Sequence, residues 1–98
     1  MNTTIEQLRG LLAEHFKYYK YRDAIAEIKA LKASGKLSEE TWNNIKNLIN
    51  NRDLPKGQAL NLIAFDSNLP LDEDTEQEAY KWLDLFINNI DQNEIVDY

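Results

Sequence analysis

Cysteine is absent from the 98 residues, and histidine occurs once, at position 15. Without thiols there is no disulfide framework, no cysteine nucleophile and no cysteine-based zinc site, and one histidine has no second to complete a metal site. Glycine and proline together fill only five positions, the profile of a folded helical chain rather than a disordered one. No apolar run exceeds the four residues Leu62 to Phe65, whereas a membrane span needs about 20. The opening MNTTIEQLRG carries an acidic residue where a secretory signal is basic, and it lacks an apolar block of adequate length. These absences point to a cytoplasmic protein with no membrane contact, no metal and no cofactor.

What is present is apolar surface and charge. Apolar residues make up 43% of the chain and charged residues 29%, enough for one core and one domain, residues 1–98, but not for two. The net charge of -6 is unevenly spread: residues 1–50 hold eight Lys/Arg against six Asp/Glu, and residues 51–98 hold three against eleven. The second half is therefore an acidic surface, which repels phosphate backbones and attracts basic partners.

Periodicity predicts an all-α fold, a small single-domain bundle of about five helices. Thr4 with Gln7 suits a capped start, after which Ile5, Leu8, Leu12, Phe16 and Tyr19 form one stripe at helical spacing. Continuing that helix would bring Tyr21, Ile25 and Ile28 out on roughly its opposite side, so a break is expected near residues 20–23, with Asp23 capping a second helix. Ser34-Gly35 closes that helix with Leu37 folding back on it, and Ser38 caps a third whose buried face is Trp42, Ile45, Leu48 and Ile49. NNRDLPKG reads as a connecting loop. QALNLIAFD, residues 58–66, is short enough for a buried strand or a helix; Pro55 and the lack of a partner strand favour helix. Thr75 and Glu78 form a capping box for a last helix over about 75–90, buried through Ala79, Trp82, Leu83, Phe86, Ile87 and Ile90. The tail DQNEIVDY is acidic and is expected to fray, with Ile95, Val96 and Tyr98 as apolar groups able to dock.

Four features are candidates for function. HFKYYKYRD, residues 15–23, mixes bases and aromatics as a nucleic-acid patch does. Phe16 and Tyr19 nevertheless belong to the core stripe, and Lys17 and Lys20 sit at a helix end where positive charge is favoured. Tyr18, Tyr21 and Arg22 are left as exposed contact residues of the type enriched at protein interfaces. His15 lacks an evident nucleophile or orienting carboxylate, so no catalytic residue is assigned and the protein is read as a non-enzyme. The carboxylates at 72, 73, 74, 76 and 78 lack the spacing and central glycine of a calcium loop. With Asp84, Asp91, Glu94 and Asp97 they form an acidic ridge. Asn43, Asn44, Lys46 and Asn47 face outward from the third helix of a helix-turn-helix-like pair, but the acidic remainder argues against direct contact with nucleic acid.

Residues 25–49, IAEIKALKASGKLSEETWNNIKNLI, resemble the SHOCT-type helical hairpin, an oligomerisation module, with Ile28, Leu31, Gly35, Leu37, Glu39, Glu40, Trp42 and Lys46 in matching places. As a whole, the short, acidic, cysteine-free helical chain resembles the immunity proteins that neutralise bacteriocins and contact-dependent growth inhibition toxins. That resemblance implies a bacterial protein that does no chemistry and covers the active site, or an adjacent surface, of a basic nuclease toxin. The partner-binding residues expected on this reading are Asp72, Glu73, Asp74, Glu76, Tyr80 and Asp84, with Tyr18 and Tyr21. The alternatives are a helical oligomerisation or regulatory module, a homodimer through the central hairpin, and a phage-type acidic mimic of nucleic acid.

Overall fold

The first helix, α1 (Thr3–Phe16), buries Ile5, Leu8, Leu12 and Phe16, the spacing that keeps one face inward. A computed structural model of the chain describes residues 3–66, 69 and 71–92. Thr4 lies inside the first turn of α1 rather than capping it. The helix stops at Phe16, where the amides of Tyr18 and Tyr19 both donate to the His15 carbonyl, at 3.4 and 3.0 Å. Tyr19, expected in the core stripe, is consequently 48% exposed. The chain leaves helical geometry one residue after Phe16, before it can carry Tyr19 back to the buried side.

Helix α2 (Tyr21–Ser34) begins two residues ahead of the expected Asp23 cap. Lys20 precedes it in an extended conformation and offers no side-chain cap, while Asp23 sits in the first turn, where its charge still meets the positive end of the dipole. This earlier start decides the fate of Tyr21. Being helical, Tyr21 joins Ile25 and Ile28 on the inward stripe; its ring packs at 5.6 Å from Phe16 and 5.8 Å from Trp82, and its hydroxyl accepts a 2.7 Å bond from Asn89 Nδ2. Tyr21 is therefore a half-buried packing residue, not the exposed contact expected from its neighbours.

The α2–α3 connection follows the capping signals. Gly35 takes the left-handed conformation, φ 84°, and the Leu37 amide donates to the Leu31 carbonyl at 3.0 Å, placing the Leu37 side chain in the core. Ser38 then accepts from the Thr41 amide at 3.1 Å and starts α3 (Glu39–Asn50), which buries Trp42, Ile45, Leu48 and Ile49. Residues 58–66 are helical, not a strand: α4 (Gln58–Leu60) passes into a wider π-helical turn (Asn61–Asp66). Ala59, Leu62 and Ile63 are its buried residues. Thr75 accepts from the Glu78 amide at 3.2 Å and starts the last helix, α5 (Glu76–Asp91).

These five helices form an all-α bundle, with no strand among the described residues. Helix α1 packs against α2, α3 and the π turn, and α5 packs against α2, α3 and α4. Aromatic rings join the two groups at the centre. Trp82 and Phe86 stack at 5.6 Å, Phe16 meets both edge-on at 5.0 and 5.8 Å, and Trp42 meets Phe86 edge-on at 5.7 Å. A buried ring of this size removes on the order of 200 Å² from water, about 5 kcal/mol at the usual coefficient and an upper bound because the unfolded chain is partly compact. Removing α5 would thus take away the largest packing partners of Phe16 and Trp42 together.

Trp42 is completely buried within the chain, and its indole Nε1 donates to Asp91 Oδ1 at 2.8 Å. The face expected to dimerise the central hairpin is thereby consumed inside one copy. Of the acidic tail, Asp91 and Gln92 are described, and Glu94, Ile95, Val96, Asp97 and Tyr98 fall outside the described residues. No described helix is long and apolar enough to cross a membrane.

Candidate protein-binding surface

The expected partner-binding carboxylates divide into two kinds. Asp72, Glu73 and Asp74 lie on the exposed segment leading into α5, ahead of the Thr75 cap. Glu76, Tyr80 and Asp84 follow at four-residue intervals, which sets them one above another on a single face of α5. This face is built. Glu76 is half-buried and its Oε1 accepts the Gly57 amide at 2.9 Å, tying the start of α5 to the left-handed turn before α4.

Asp84 is not a free carboxylate of an acidic ridge. Arg52 grips it with two parallel bonds of 2.8 Å, one guanidinium nitrogen to each oxygen, in the bidentate geometry that makes such pairs specific. The same guanidinium donates to the Ile49 carbonyl at 3.0 Å and lies 4.5 Å from the Tyr80 ring centroid, within cation–π range. Its hydrogen bond to Asp84 raises the Arg52 pKa, outweighing its partial burial. Burial pushes the Tyr80 hydroxyl up, partly offset by a backbone hydrogen bond at Leu54, while the negative charges of Glu76 and Asp53 push the same way as burial.

Arg52 is the residue that sequence reasoning missed. Its backbone has φ 54°, the only positive value at a non-glycine position among the described residues. The Arg52 amide donates to the Ile49 carbonyl at 3.1 Å and the Asp53 amide to the Leu48 carbonyl at 2.9 Å, the paired closing bonds of a Schellman motif. Arginine thus stands where glycine is usual, at a backbone cost of roughly 1–2 kcal/mol. No local signal marks it, because its partners Asp84 and Tyr80 are remote in sequence. Two shallow grooves flank its side chain, one lined by Glu76, Gln77 and Tyr80, the other by Asn50, Asp84, Ile87 and Asn88.

Asp91 likewise leaves the ridge. It accepts from Trp42, from Lys32 Nζ at 2.9 Å on the same oxygen, and from Lys46 Nζ at 3.1 Å on the other. Burial works against its charge, but the bonds from Lys32, Trp42 and Lys46, and the charge of Lys32, hold its carboxyl below the usual range. Lys29 Nζ donates to the neighbouring Gln92 carbonyl, so three lysines gather around the end of α5.

Tyr18 belongs to another place, the turn between α1 and α2, where it is 74% exposed with Lys17 Nζ 5.8 Å from its ring. His15 has a buried Nδ1 with no hydrogen-bond partner, so no carboxylate holds the ring through that nitrogen. Among the described residues no three acidic or histidine side chains gather as a metal site. The arrangement comprises exposed carboxylates at 72–74, a tyrosine packed under an arginine, and a groove between that tyrosine and Glu76. Compared with protein-family models, curated proteins and solved structures, the chain matches none.

Proposed function

We propose that the protein is a non-enzymatic inhibitor, an immunity protein that binds and neutralises a basic toxin domain, with a nuclease as the expected toxin class. The observation that supports this most is the juxtaposition of exposed Asp72, Glu73 and Asp74 with a Tyr80 whose ring is fixed by Arg52 and Asp84. Exposed carboxylates at 72–74 supply a field that speeds encounter with a basic protein. A pinned aromatic beside them supplies an anchor whose side-chain entropy is already spent. Asp84 supports the surface by holding Arg52 and does not serve as an open contact. Homodimerisation through the central hairpin would need a surface other than the one centred on Trp42.

The test begins with affinity purification of the tagged protein from its native host, followed by kinetics with the recovered partner. The expected partner is basic, and its association slows as salt rises from about 50 to 300 mM, since exposed charges are screened over a Debye length of about 10 Å or less. The double reversal Glu73→Lys with Asp74→Lys, which touches no internal pair, is expected to slow association by about tenfold or more. Association indifferent to both salt and reversal would sink the proposal.

A further inference from the structure

We infer that the groove between Tyr80 and Glu76 receives a lysine side chain of the protein partner, an inference that rests on the binding function proposed above and specifies what its centre recognises. The groove is lined by Arg52, Glu76, Gln77 and Tyr80. Its two charges are not equally available. Arg52 is neutralised by the bidentate bond to Asp84, whereas Glu76 is answered by the Gly57 amide on one oxygen and by no cation among the described residues. At Tyr80 the negative charge of Glu76 outweighs the positive charge of Arg52, and Asp53 adds to the negative side. A half-buried carboxylate with a free oxygen, in a groove whose own cation is already paired, favours a cation supplied from outside.

The shape of the ligand follows from Tyr80. The guanidinium of Arg52 lies over the ring at 4.5 Å, so an incoming planar guanidinium is denied that face. A lysine needs no stacking face: its methylenes pack along the ring edge, and its compact ammonium donates to Glu76 and to the exposed Gln77 amide oxygen. Arg52 also forms one wall of the groove, where its bonds to both Asp84 oxygens and to the Ile49 carbonyl fix its side chain.

The experiment is an amide NMR titration of the intact protein with N-acetyl-lysine-N-methylamide, repeated with the norleucine analogue, which lacks the ammonium. The expected result is a saturable shift at Gly57, Gln77 and Tyr80 with the lysine compound only. Glu76→Gln should weaken that binding about tenfold; it keeps an oxygen for the Gly57 amide, so the Gly57 resonance itself reports that the fold is intact. The inference is overturned if norleucine shifts these amides equally, if the lysine compound shifts Glu39 and Glu40 as strongly, or if Glu76→Gln changes nothing. Failure here with the Glu73 and Asp74 reversals still slowing partner association would remove the lysine groove alone. Success here with those reversals inert would remove the electrostatic reading of the parent proposal and leave the groove.

Discussion

Asp91 shows how much a single carboxylate can hold. Changing it to alanine strands the indole N–H of a wholly buried Trp42, a loss of about 1–3 kcal/mol. Asp91→Asn keeps an oxygen for Trp42 and forfeits only the charge toward two partly exposed lysines, about 0.5–1 kcal/mol. Urea denaturation at pH 7 should therefore rank wild type above Asn and Asn above Ala. The pH dependence has a definite sign. The folded carboxyl is held below its ordinary value, so as pH falls the unfolded chain takes up this proton first. The contribution of the charge is complete above the unfolded value of about 4 and vanishes as the pH drops through the lower folded value. The gap between wild type and Asp91→Asn should be full at neutral pH and narrow as the pH falls below the unfolded value; a gap that does not change with pH would mean that the loss arises from packing.

At the scale of helices, two glycines make opposite predictions. Gly10 lies within α1, and a Cβ built there meets nothing within 4 Å, so Gly10→Ala should stabilise by about 0.5–1 kcal/mol. Gly35 also has open space around it but sits at φ 84°, so Gly35→Ala should cost about 1 kcal/mol. Thermal melts of the two variants should move in opposite directions. Boundaries written in local capping chemistry were legible: Ser34-Gly35, Ser38 and Thr75 all act as their residue types suggest. The start of α2 was not, because Lys20 provides no side-chain cap while Asp23 advertises one, and that short displacement turned Tyr21 inward. Residues 58–66 were the least legible stretch because so short a segment carries only one i, i+3, i+4 set, Ala59, Leu62 and Ile63, and helix, the favoured reading, is what forms.

The whole molecule carries its charge differently from its sequence. The ridge expected along the second half is shortened, because Asp84 pairs with a residue 32 positions away and Asp91 with residues 45, 49 and 59 positions away. Such pairings are set by tertiary contact, so the exposure of Asp72, Glu73 and Asp74 and the shared helix face of Glu76 and Tyr80 were legible in local sequence, and the place of Arg52 among them was not. The core makes its own prediction at this scale. Trp42→Ala, in a residue touching both Phe86 and Asp91, should cost about 3–5 kcal/mol, a large part of the 5–15 kcal/mol available to a domain. Sedimentation of the variant under native conditions should show loss of folded protein rather than conversion of a dimer to a folded monomer.

The bond from Trp42 to Asp91 also bears on the order of events during synthesis. Helices α2 and α3 carry good local signals and can form as a hairpin early, but the acceptor for the Trp42 indole and the ring that packs against it arrive 49 and 44 residues later, in α5. Until then the emerging chain holds an incompletely covered tryptophan, an apolar surface that invites chaperones and aggregation. The core is thus closed only when the last helix docks, and a ribosome stalled before residue 76 would hold α1 to α3 in contact without the rings of α5 that cover Phe16 and Trp42.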